Sequence, residues 1–351
     1  MPTGGKSTLT KFLIEARRRV PGATGELNAL ITDISLACKA IAKKVAYGSL
    51  GELLATPAPS GAPLQTACHE LFVRATNWGG QSAGIVSGAE DGVYLLPTGT
   101  PRGKYLLLFN PLEGAANARV NVPVGSIFSI LRAPRPKEDP VAEDFLQPGE
   151  RQVCSGYAIY GPATMLVLTL GHGTHGFTLD PQLGEWVLSH PEITIPDVTS
   201  DFAIDPGQSR HWGVPVKRYV DECLAGHAGP RGADFRVRWI ASLVTEAHRI
   251  LMRGGVFLSP GGNGDSTTAT SPRLLDEANP IAYLIEQAGG CANTGHGRVA
   301  DVVPDALRQT TPLYCGSRLE VERIARYHAV PAGDSYNSSL FAHRGLFSSP
   351  G

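Results

Sequence analysis

The chain has 351 residues, and its 42% hydrophobic and 18% charged residues are typical of an ordinary globular protein. A formal net charge of -1 gives no electrostatic reason to expect binding to nucleic acid or to an anionic membrane. The six cysteines contain no CxxC pair, which indicates reduced thiols, and no apolar run is long enough to cross a bilayer. We therefore expect a cytoplasmic protein with neither a nucleic-acid nor a membrane partner.

The first half of the chain is predicted to contain helices followed by a layer of strands. Apolar residues at helical spacing predict helices over residues 9–20, 27–45 and 65–78. Strand-forming residues predict strands over residues 83–87, 105–109, 119–132, 157–159, 165–170 and 174–179. The last three are expected to pair in antiparallel fashion.

Helices return in the second half of the chain. Helices are predicted over residues 214–225 and 235–252, with a buried strand over 256–258 between them and the next helix. Asn279 is the predicted N-cap of that next helix, with Pro280 in its first position. A capping box that begins at Ser317 predicts the last helix. This order predicts a layered α/β chain.

The most informative stretch runs from Lys104 to Asn117. Its apolar strand is expected to end at Asn110 and Pro111, because proline cannot donate a hydrogen bond to a neighbouring strand. Glu113 then lies beside Gly114, which permits a tight turn. A carboxylate on a rigid turn at a strand end is a common feature of sites in α/β proteins.

From Phe109 to Asn117 this stretch resembles the metal-binding signature of class I fructose-1,6-bisphosphatases, Phe-Asp-Pro-Leu-Asp-Gly-Ser-Ser-Asn. Runs such as residues 171–180 and 236–244 resemble the bacterial, Calvin-cycle-type members. The resemblance implies a layered α/β/α/β/α sandwich of the sugar-phosphatase (fructose-1,6-bisphosphatase/inositol monophosphatase) superfamily, and a homotetramer or homodimer. It divides the chain into an N-terminal, allosteric-type half (1–203), a C-terminal, substrate-binding half (204–330) and a tail (331–351).

The family hydrolyses phosphate esters with Mg²⁺ ions held by clustered carboxylates. The family's Ser-Glu-Glu falls on Ser87, Gly88 and Ala89, and a loop aspartate falls on Gln65. The two signature aspartates fall on Asn110 and Glu113, a later aspartate falls on Arg119, and only Glu277 is unchanged. On these replacements we expect that no cofactor is required and that at most one weak Mg²⁺ binds, with Glu113 and Glu277 as its ligands.

The resemblance also implies the substrate contacts. Gln208 falls on an asparagine that meets the far phosphate, and Ser259 and Asp276 fall on tyrosines. Arg238, which reaches a neighbouring subunit's site in the family, is retained. The predicted substrate-binding residues are Asn110, Asn117, Arg119, Gln208, Arg238, Ser259, Arg273 and Asp276.

The predicted catalytic residues are Glu113, Glu277 and His69. The fold implied by the resemblance points both glutamates into one pocket, where two close carboxylates form an acid–base pair. Arg119 could instead pair with Glu113 and leave a structural ion pair, and His69 could be a partly exposed helix histidine. Cys68 is a poor nucleophile candidate, because adjacent side chains on a helix do not face each other.

The replacements concentrate at the site, while the helix caps and apolar runs are intact. The main prediction is therefore a repurposed enzyme of the lyase, cyclase, dehydratase or isomerase type that performs metal-independent acid–base chemistry on a small molecule. The first alternative is a true Mg²⁺-dependent fructose 1,6-bisphosphate phosphatase. The second is a non-catalytic regulatory or binding homologue.

Overall fold

A computed structural model describes residues 7–18, 25–48, 63–261 and 271–329. The predicted tail (331–351) lies outside these residues. The helices are α1 (Leu9–Arg18), α2 (Glu26–Ala46), α3 (Pro63–Thr76), α4 (Ala115–Ala118), α5 (Ala142–Phe145), α6 (Val214–Leu224), α7 (Leu243–Arg253), α8 (Asn279–Gln287) and α9 (Arg318–Ala329). No helix within the described ranges is both long and apolar enough to span a membrane.

The strands form two sheets. The strands are β1 (Ser82–Ser87), β2 (Val93–Leu95), β3 (Tyr105–Glu113), β4 (Val124–Arg132), β5 (Cys154–Tyr160), β6 (Thr164–Thr169), β7 (Thr174–Asp180), β8 (Glu185–Ile193), β9 (Asp201–Ala203), β10 (Arg236–Val237), β11 (Val256–Ser259), β12 (Cys291–Asn293) and β13 (Leu313–Gly316). The large sheet has the order β2-β1-β3-β4-β5-β6-β7-β8, and the small sheet has the order β10-β9-β11-β13-β12. In the large sheet β1 runs parallel to β3, and the other neighbours pair antiparallel.

Three apolar clusters separate five layers. The first packs α1, α2 and α3 on one face of the large sheet, with Phe72 stacked on Phe109 at 4.4 Å between ring centroids. The second lies between the other face of that sheet, helices α7 and α8, and the small sheet. The third packs α6 and α9 on the outer face of the small sheet. The predicted α/β/α/β/α sandwich is therefore confirmed, whereas the division after residue 203 stays a prediction.

The prediction that the strand ends at Asn110 and Pro111 is wrong. Strand β3 continues to Glu113, and its pairing with β4 shifts register between Asn110 and Glu113. The irregularity accommodates the proline, which cannot donate to the ladder. The strand therefore delivers Glu113 to the edge of the site without a break.

The predicted helix over residues 235–252 begins later than expected. Residues 236–237 form β10, and α7 starts at Leu243. Ser242 is the N-cap, and its hydroxyl accepts a hydrogen bond from the backbone N–H of Thr245 at 3.3 Å. Ala241, just before it, has a left-handed φ of 55°, which no helix interior tolerates.

Two predicted caps are also wrong. Asn279 is not an N-cap, because a wide helical turn over Leu274–Ala278 runs directly into α8 and gives Asn279 helical dihedrals. Helix α9 starts where predicted, but the Ser317 hydroxyl accepts from the backbone N–H of Gly255 at 3.3 Å rather than serving the helix. The six cysteines are free, as expected.

Candidate active site

The candidate site lies where β1 and β3 end side by side. The backbone N–H of Gly88, just past β1, donates to the carbonyl of Phe109 at 2.7 Å. The wide turn Leu274–Ala278 packs across these ends and contacts both β3 and β4. The carboxyl ends of neighbouring parallel strands meet at one sheet edge, so side chains from three distant parts of the chain converge there.

Asn110, Arg273, Asp276 and Glu277 form what we call the Arg273 cluster. The guanidinium binds Asp276 through two nitrogens, with Nη2–Oδ2 at 2.7 Å and Nε–Oδ1 at 2.9 Å. The same Nη2 lies 2.7 Å from Oε1 of Glu277, which also accepts from Nδ2 of Asn110 at 2.7 Å. One arginine therefore pairs with two carboxylates, and bidentate pairing fixes its orientation.

Opposing influences act on the pKa of Glu277. Burial and the nearby charge of Asp276 raise the pKa of Glu277 to about 7, and Glu113 adds to the rise. Arg273 lowers it, through its charge and through its backbone N–H, which donates to Oε2 at 2.7 Å. Glu277 and Glu113 are thus close enough to influence each other electrostatically, and their role as an acid–base pair stays a prediction.

Gly88 makes room for the Arg273 cluster. A Cβ placed on Gly88 would lie 2.4 Å from Oδ2 of Asp276 and 2.5 Å from Nη2 of Arg273, well inside van der Waals contact. Gly88 is the position on which the family's first upstream glutamate falls. The arginine–aspartate pair therefore occupies the space beside this backbone in place of a side chain.

Glu113, Ser242, Leu243 and Val244 form what we call the Glu113 cap. Oε2 of Glu113 accepts from the Ser242 hydroxyl at 2.7 Å and from the backbone N–H of Val244 at 3.0 Å. Oε1 accepts from the backbone N–H of Leu243 at 2.9 Å. Burial raises the pKa of Glu113, and these three hydrogen bonds oppose the rise. Arg119 is exposed and makes no hydrogen bond or ion pair with Glu113, so the ion pair weighed above is absent from the described chain.

His69 lies on α3 beside the end of β1. It is 6% exposed, which contradicts its reading as a partly exposed histidine. Its Nδ1 lies 2.8 Å from the Ser87 hydroxyl, and its Nε2 lies 3.1 Å from Oε1 of Glu90. Arg308 holds the same turn by donating to the carbonyls of Gly88 and Glu90, each at 2.8 Å. Contacts at both ring nitrogens thus fix the orientation of the imidazole.

The remaining predicted residues lie at the periphery. Asn117 donates from Nδ2 to the carbonyl of Ile240 at 3.2 Å. Arg238 is exposed, with Nε 3.8 Å from Oδ2 of Asp201. Gln208 lies on a short 3₁₀ turn after β9, and Ser259 ends β11 and is 7% exposed. Among the described residues, no hydrogen bond or ion pair joins Arg119, Gln208 or Arg238 to the Arg273 cluster.

Sequence reasoning missed several residues. Ser242 was placed inside a helix, although a serine before an apolar periodic run is a recognisable N-cap signal. No sequence signal links Arg308 to Gly88, which is 220 positions away.

Cys68 is fully buried, and burial raises the pKa of its thiol to about 12, which removes it as a nucleophile.

The residues as arranged do not fit a divalent metal ion. Within the described chain no group of three or more His, Cys, Asp or Glu side chains is placed to hold one. Asp276 and Glu277 are occupied by Arg273, and both oxygens of Glu113 accept from α7. A metal would need anionic oxygens that are free of these donors.

Two family models match the chain almost end to end. The fructose-1-6-bisphosphatase N-terminal domain matches residues 7–191, and the C-terminal domain matches residues 195–329. A fructose-1,6-bisphosphatase class 1 from Methylibium petroleiphilum is 59% identical and covers 100% of both chains. One from Hydrogenophilus thermoluteolus is 54% identical over 97% of each chain.

Solved structures agree with this similarity. The holo form of Leishmania major fructose-1,6-bisphosphatase superposes with a TM-score of 0.84 at 32% identity, and covers 93% of this chain and 100% of that one. The T-state structure of the same enzyme gives a TM-score of 0.83 at 33% identity. The layered architecture is thus shared along with the sequence.

Proposed function

The chain belongs to the class 1 fructose-1,6-bisphosphatase family, and from this premise we propose that it hydrolyses fructose 1,6-bisphosphate to fructose 6-phosphate and inorganic phosphate. The observation that carries the proposal is the 59% identity to a class 1 enzyme along the whole of both chains. The convergence of Asn110, Arg273, Asp276 and Glu277 supports it, because the end of β3 and the turn Leu274–Ala278 bring these polar groups into direct contact.

The main functional prediction from the sequence is wrong. The chain was predicted to be a repurposed lyase, cyclase, dehydratase or isomerase, yet the full-length relatives at 59% and 54% identity are fructose-1,6-bisphosphatases. The error came from reading replaced site residues as a change of reaction. The first alternative, the phosphatase, agrees with the relatives.

The prediction that no cofactor is required is also wrong. The relatives are class 1 fructose-1,6-bisphosphatases, a family whose reaction depends on Mg²⁺ or a similar ion. The side-chain arrangement described above does not fit such an ion, because Arg273 and the amides of α7 occupy the carboxylates. We therefore derive the roles below from this chain's own residues.

Arg273 and its neighbours are proposed to bind the phosphate that is cleaved. Asp276 and Glu277 take Nε and Nη2 of the guanidinium, so Nη1 is the nitrogen proposed to donate to a phosphoryl oxygen. Asp276 holds Arg273 through Nε and Nη2, and Asn110 holds Glu277, so the polar groups are oriented before substrate arrives. Such preorganisation is the main source of electrostatic stabilisation in a transition state.

His69 is proposed as the group that moves a proton at this site. Its two ring nitrogens face Ser87 and Glu90, an arrangement that fixes the orientation of the ring. A histidine oriented in this way can accept a proton from the attacking water or return one to the departing sugar oxygen. The far end of the substrate is assigned to Gln208, Arg238 and Ser259, which follow or end strands of the small sheet.

The test is phosphate release by the purified full chain from fructose 1,6-bisphosphate with millimolar Mg²⁺ or Mn²⁺. We expect turnover on the order of 10 s⁻¹, an ordinary value for an enzyme. Glu277→Gln should lower kcat by about 10²-fold or more, because it removes a charged partner of Arg273. The matched control, Glu143→Gln, changes an exposed glutamate of α5 and should keep wild-type turnover. Release no faster than in buffer would overturn the proposal.

We also propose a homo-oligomer, either a dimer or a tetramer. The segment from Arg236 to Trp239 is exposed at the edge strand of the small sheet, where an unpaired strand favours association. Light scattering on the eluted protein would give the subunit number, and a monomer at micromolar concentration would contradict this assignment.

A further inference from the structure

We infer that Glu113 is a positioning residue, whose carboxylate caps α7 and thereby fixes the segment from Arg238 to Ser242 at the border of the active site. The inference rests on the proposed function for its effect on substrate. Its structural part rests only on the geometry of the Glu113 cap.

Both oxygens of Glu113 are used by the start of one helix. The first backbone N–H groups of a helix have no partner within the helix, and Glu113 accepts from those of Leu243 and Val244. Its negative charge lies at the positive end of an eleven-residue helix. The Ser242 hydroxyl donates to Glu113 and accepts from the N–H of Thr245, so the caps support each other.

The same corner holds the preceding segment by further contacts. Asn117 donates to the carbonyl of Ile240, and the N–H of Ile240 donates to Oε1 of Glu246 at 2.9 Å. Gly114 lies against Ser242 so closely that an added Cβ would be 3.1 Å from its hydroxyl oxygen. Ala241, between these attachments, keeps a left-handed φ of 55°. A strained residue persists only where its surroundings fix it on both sides.

The length of the glutamate side chain matters. In the signature that this stretch resembles, the position carries aspartate, which is one methylene shorter. The carboxylate of Glu113 meets its three donors at 2.7, 2.9 and 3.0 Å, which leaves no slack for a carboxylate drawn back by one methylene. An aspartate would fall short of the helix, so the cap depends on glutamate in particular.

The functional consequence passes through Arg238. The exposed Arg238 and Trp239 lie immediately before the held residues, and Arg238 is a proposed substrate contact. The N–H of Arg238 donates to the carbonyl of Phe202 at 2.8 Å, so this residue is held on the strand side by β9 and on the helix side by the cap. Loss of the cap releases the helix side, so it should misplace the Arg238 side chain and weaken substrate binding while the groups around Arg273 stay in place. A positioning role therefore predicts a rise in KM with little change in kcat.

The first experiment measures amide hydrogen exchange in the full chain, for wild type, Glu113→Gln and Glu113→Asp. Glutamine turns an NH₂ group towards donors, and aspartate cannot reach them. The amides of Leu243 and Val244 should exchange about tenfold faster or more in both variants, since a hydrogen bond to a charged group is lost. The first turn of α6 is the internal reference. If the Leu243 and Val244 amides exchange within about twofold of the wild-type rate in both variants, Glu113 does not cap α7.

The second experiment measures kinetics and metal affinity. KM for fructose 1,6-bisphosphate should rise about tenfold in Glu113→Gln and Glu113→Asp, with kcat within about threefold of wild type. The Mn²⁺ dissociation constant, from calorimetry without substrate, should stay within about threefold. The opposite pattern, a tenfold weaker Mn²⁺ affinity in Glu113→Gln that Glu113→Asp restores, would make Glu113 a metal ligand and overturn the inference.

The two proposals fail separately. If wild type releases no phosphate, the proposed function is wrong, and the exchange of the Leu243 and Val244 amides alone then decides whether Glu113 caps α7. If wild type is active and the exchange is unchanged, the positioning role is wrong while the phosphatase stands. Glu143→Gln, the exposed control on α5, should leave KM, exchange and Mn²⁺ affinity unchanged.

Discussion

The Arg273 cluster and the Glu113 cap are neighbours built on the same principle from different donors. In the cluster, two carboxylates meet the guanidinium of a long side chain. In the cap, one carboxylate meets a hydroxyl and two backbone N–H groups of α7. A guanidinium can leave its partners by rotating its side chain, whereas helix amides can move only with the helix. The cluster is thus oriented before a ligand arrives mainly by contacts between side chains, whereas the cap ties the neighbouring backbone to a helix.

The largest expected effect comes from removing a charge in the cluster. Asp276→Asn leaves Arg273 with Glu277 as its remaining carboxylate, and a buried pair that loses one partner costs about 3 kcal/mol of unfolding free energy. Denaturant unfolding measures the loss. Asp197→Asn is the matched control, because its pair with Arg318 is half exposed (49% for each side chain) and screened by solvent, so its loss should be much smaller. Equal losses in both variants would show that the buried ion pair of Asp276 contributes no more to the unfolding free energy than an exposed pair does.

The cluster also predicts how stability depends on pH. The pKa of Glu277 is raised from 4.5 to about 7, so the folded chain binds a proton there that the unfolded chain has released. Unfolding free energy should therefore fall as pH rises from 4.5 to 7 and level off above that, by about 3 kcal/mol in total.

The measurement is unfolding at several pH values in metal-free buffer, for wild type and Glu277→Gln. The variant lacks the titrating group and should lose most of this slope. Glu113→Gln is the informative comparison, because removing the charge of Glu113 should lower the pKa of Glu277. The pH-dependent fall in unfolding free energy should then end at a lower pH but should not disappear. Identical pH profiles for wild type and Glu277→Gln would contradict the assignment of the shift to Glu277.

A smaller effect is expected from adding one carbon beside the cluster. Gly88→Ala places a Cβ within 2.5 Å of Asp276 and Arg273, so the pair must move, at a cost of about 2 kcal/mol. Gly297→Ala is the control, because nothing lies within 4 Å of the added carbon and the position is exposed. If both variants unfold at the same denaturant concentration, the cluster is looser than its distances indicate.

The scaffold was more predictable from sequence than the site. Apolar periodicity predicted α2, and the Gly289–Gly290 stop predicted the end of α8, because both depend on residues close in sequence. The start of α7 is misplaced in the sequence prediction, because residues 235–239 alternate apolar and charged, which is a strand period, and the helical period begins only after Ser242. The convergence of Glu113 and Glu277 followed from the family resemblance rather than from any local pattern.

The partners of those glutamates could not be predicted. Asp276, Glu277 and Glu113 are all acidic, and sequence alone does not say which of them Arg273 joins. The choice depends on the space beside Gly88, which only the folded backbone defines. Replaced ligands therefore favour a changed reaction when the sequence is considered alone, whereas the full-length relatives are fructose-1,6-bisphosphatases and show the family to which the chain belongs.

The smallest change in unfolding free energy is expected beside the Glu113 cap, and it is a gain in stability rather than a loss. Ala241 has a φ of 55°, a conformation that costs alanine about 1 kcal/mol and costs glycine almost nothing. Ala241→Gly should therefore raise the unfolding free energy by about 0.5 kcal/mol, after the greater freedom of glycine in the unfolded chain is subtracted. The same exchange inside a helix, Ala325→Gly in α9, should instead lower it by about 1 kcal/mol. Because Glu113 and Asn117 hold the segment on either side, KM in Ala241→Gly should stay within about twofold of wild type. A tenfold rise in KM would mean that the strained residue itself, rather than the carboxylate of Glu113, sets the position of Arg238.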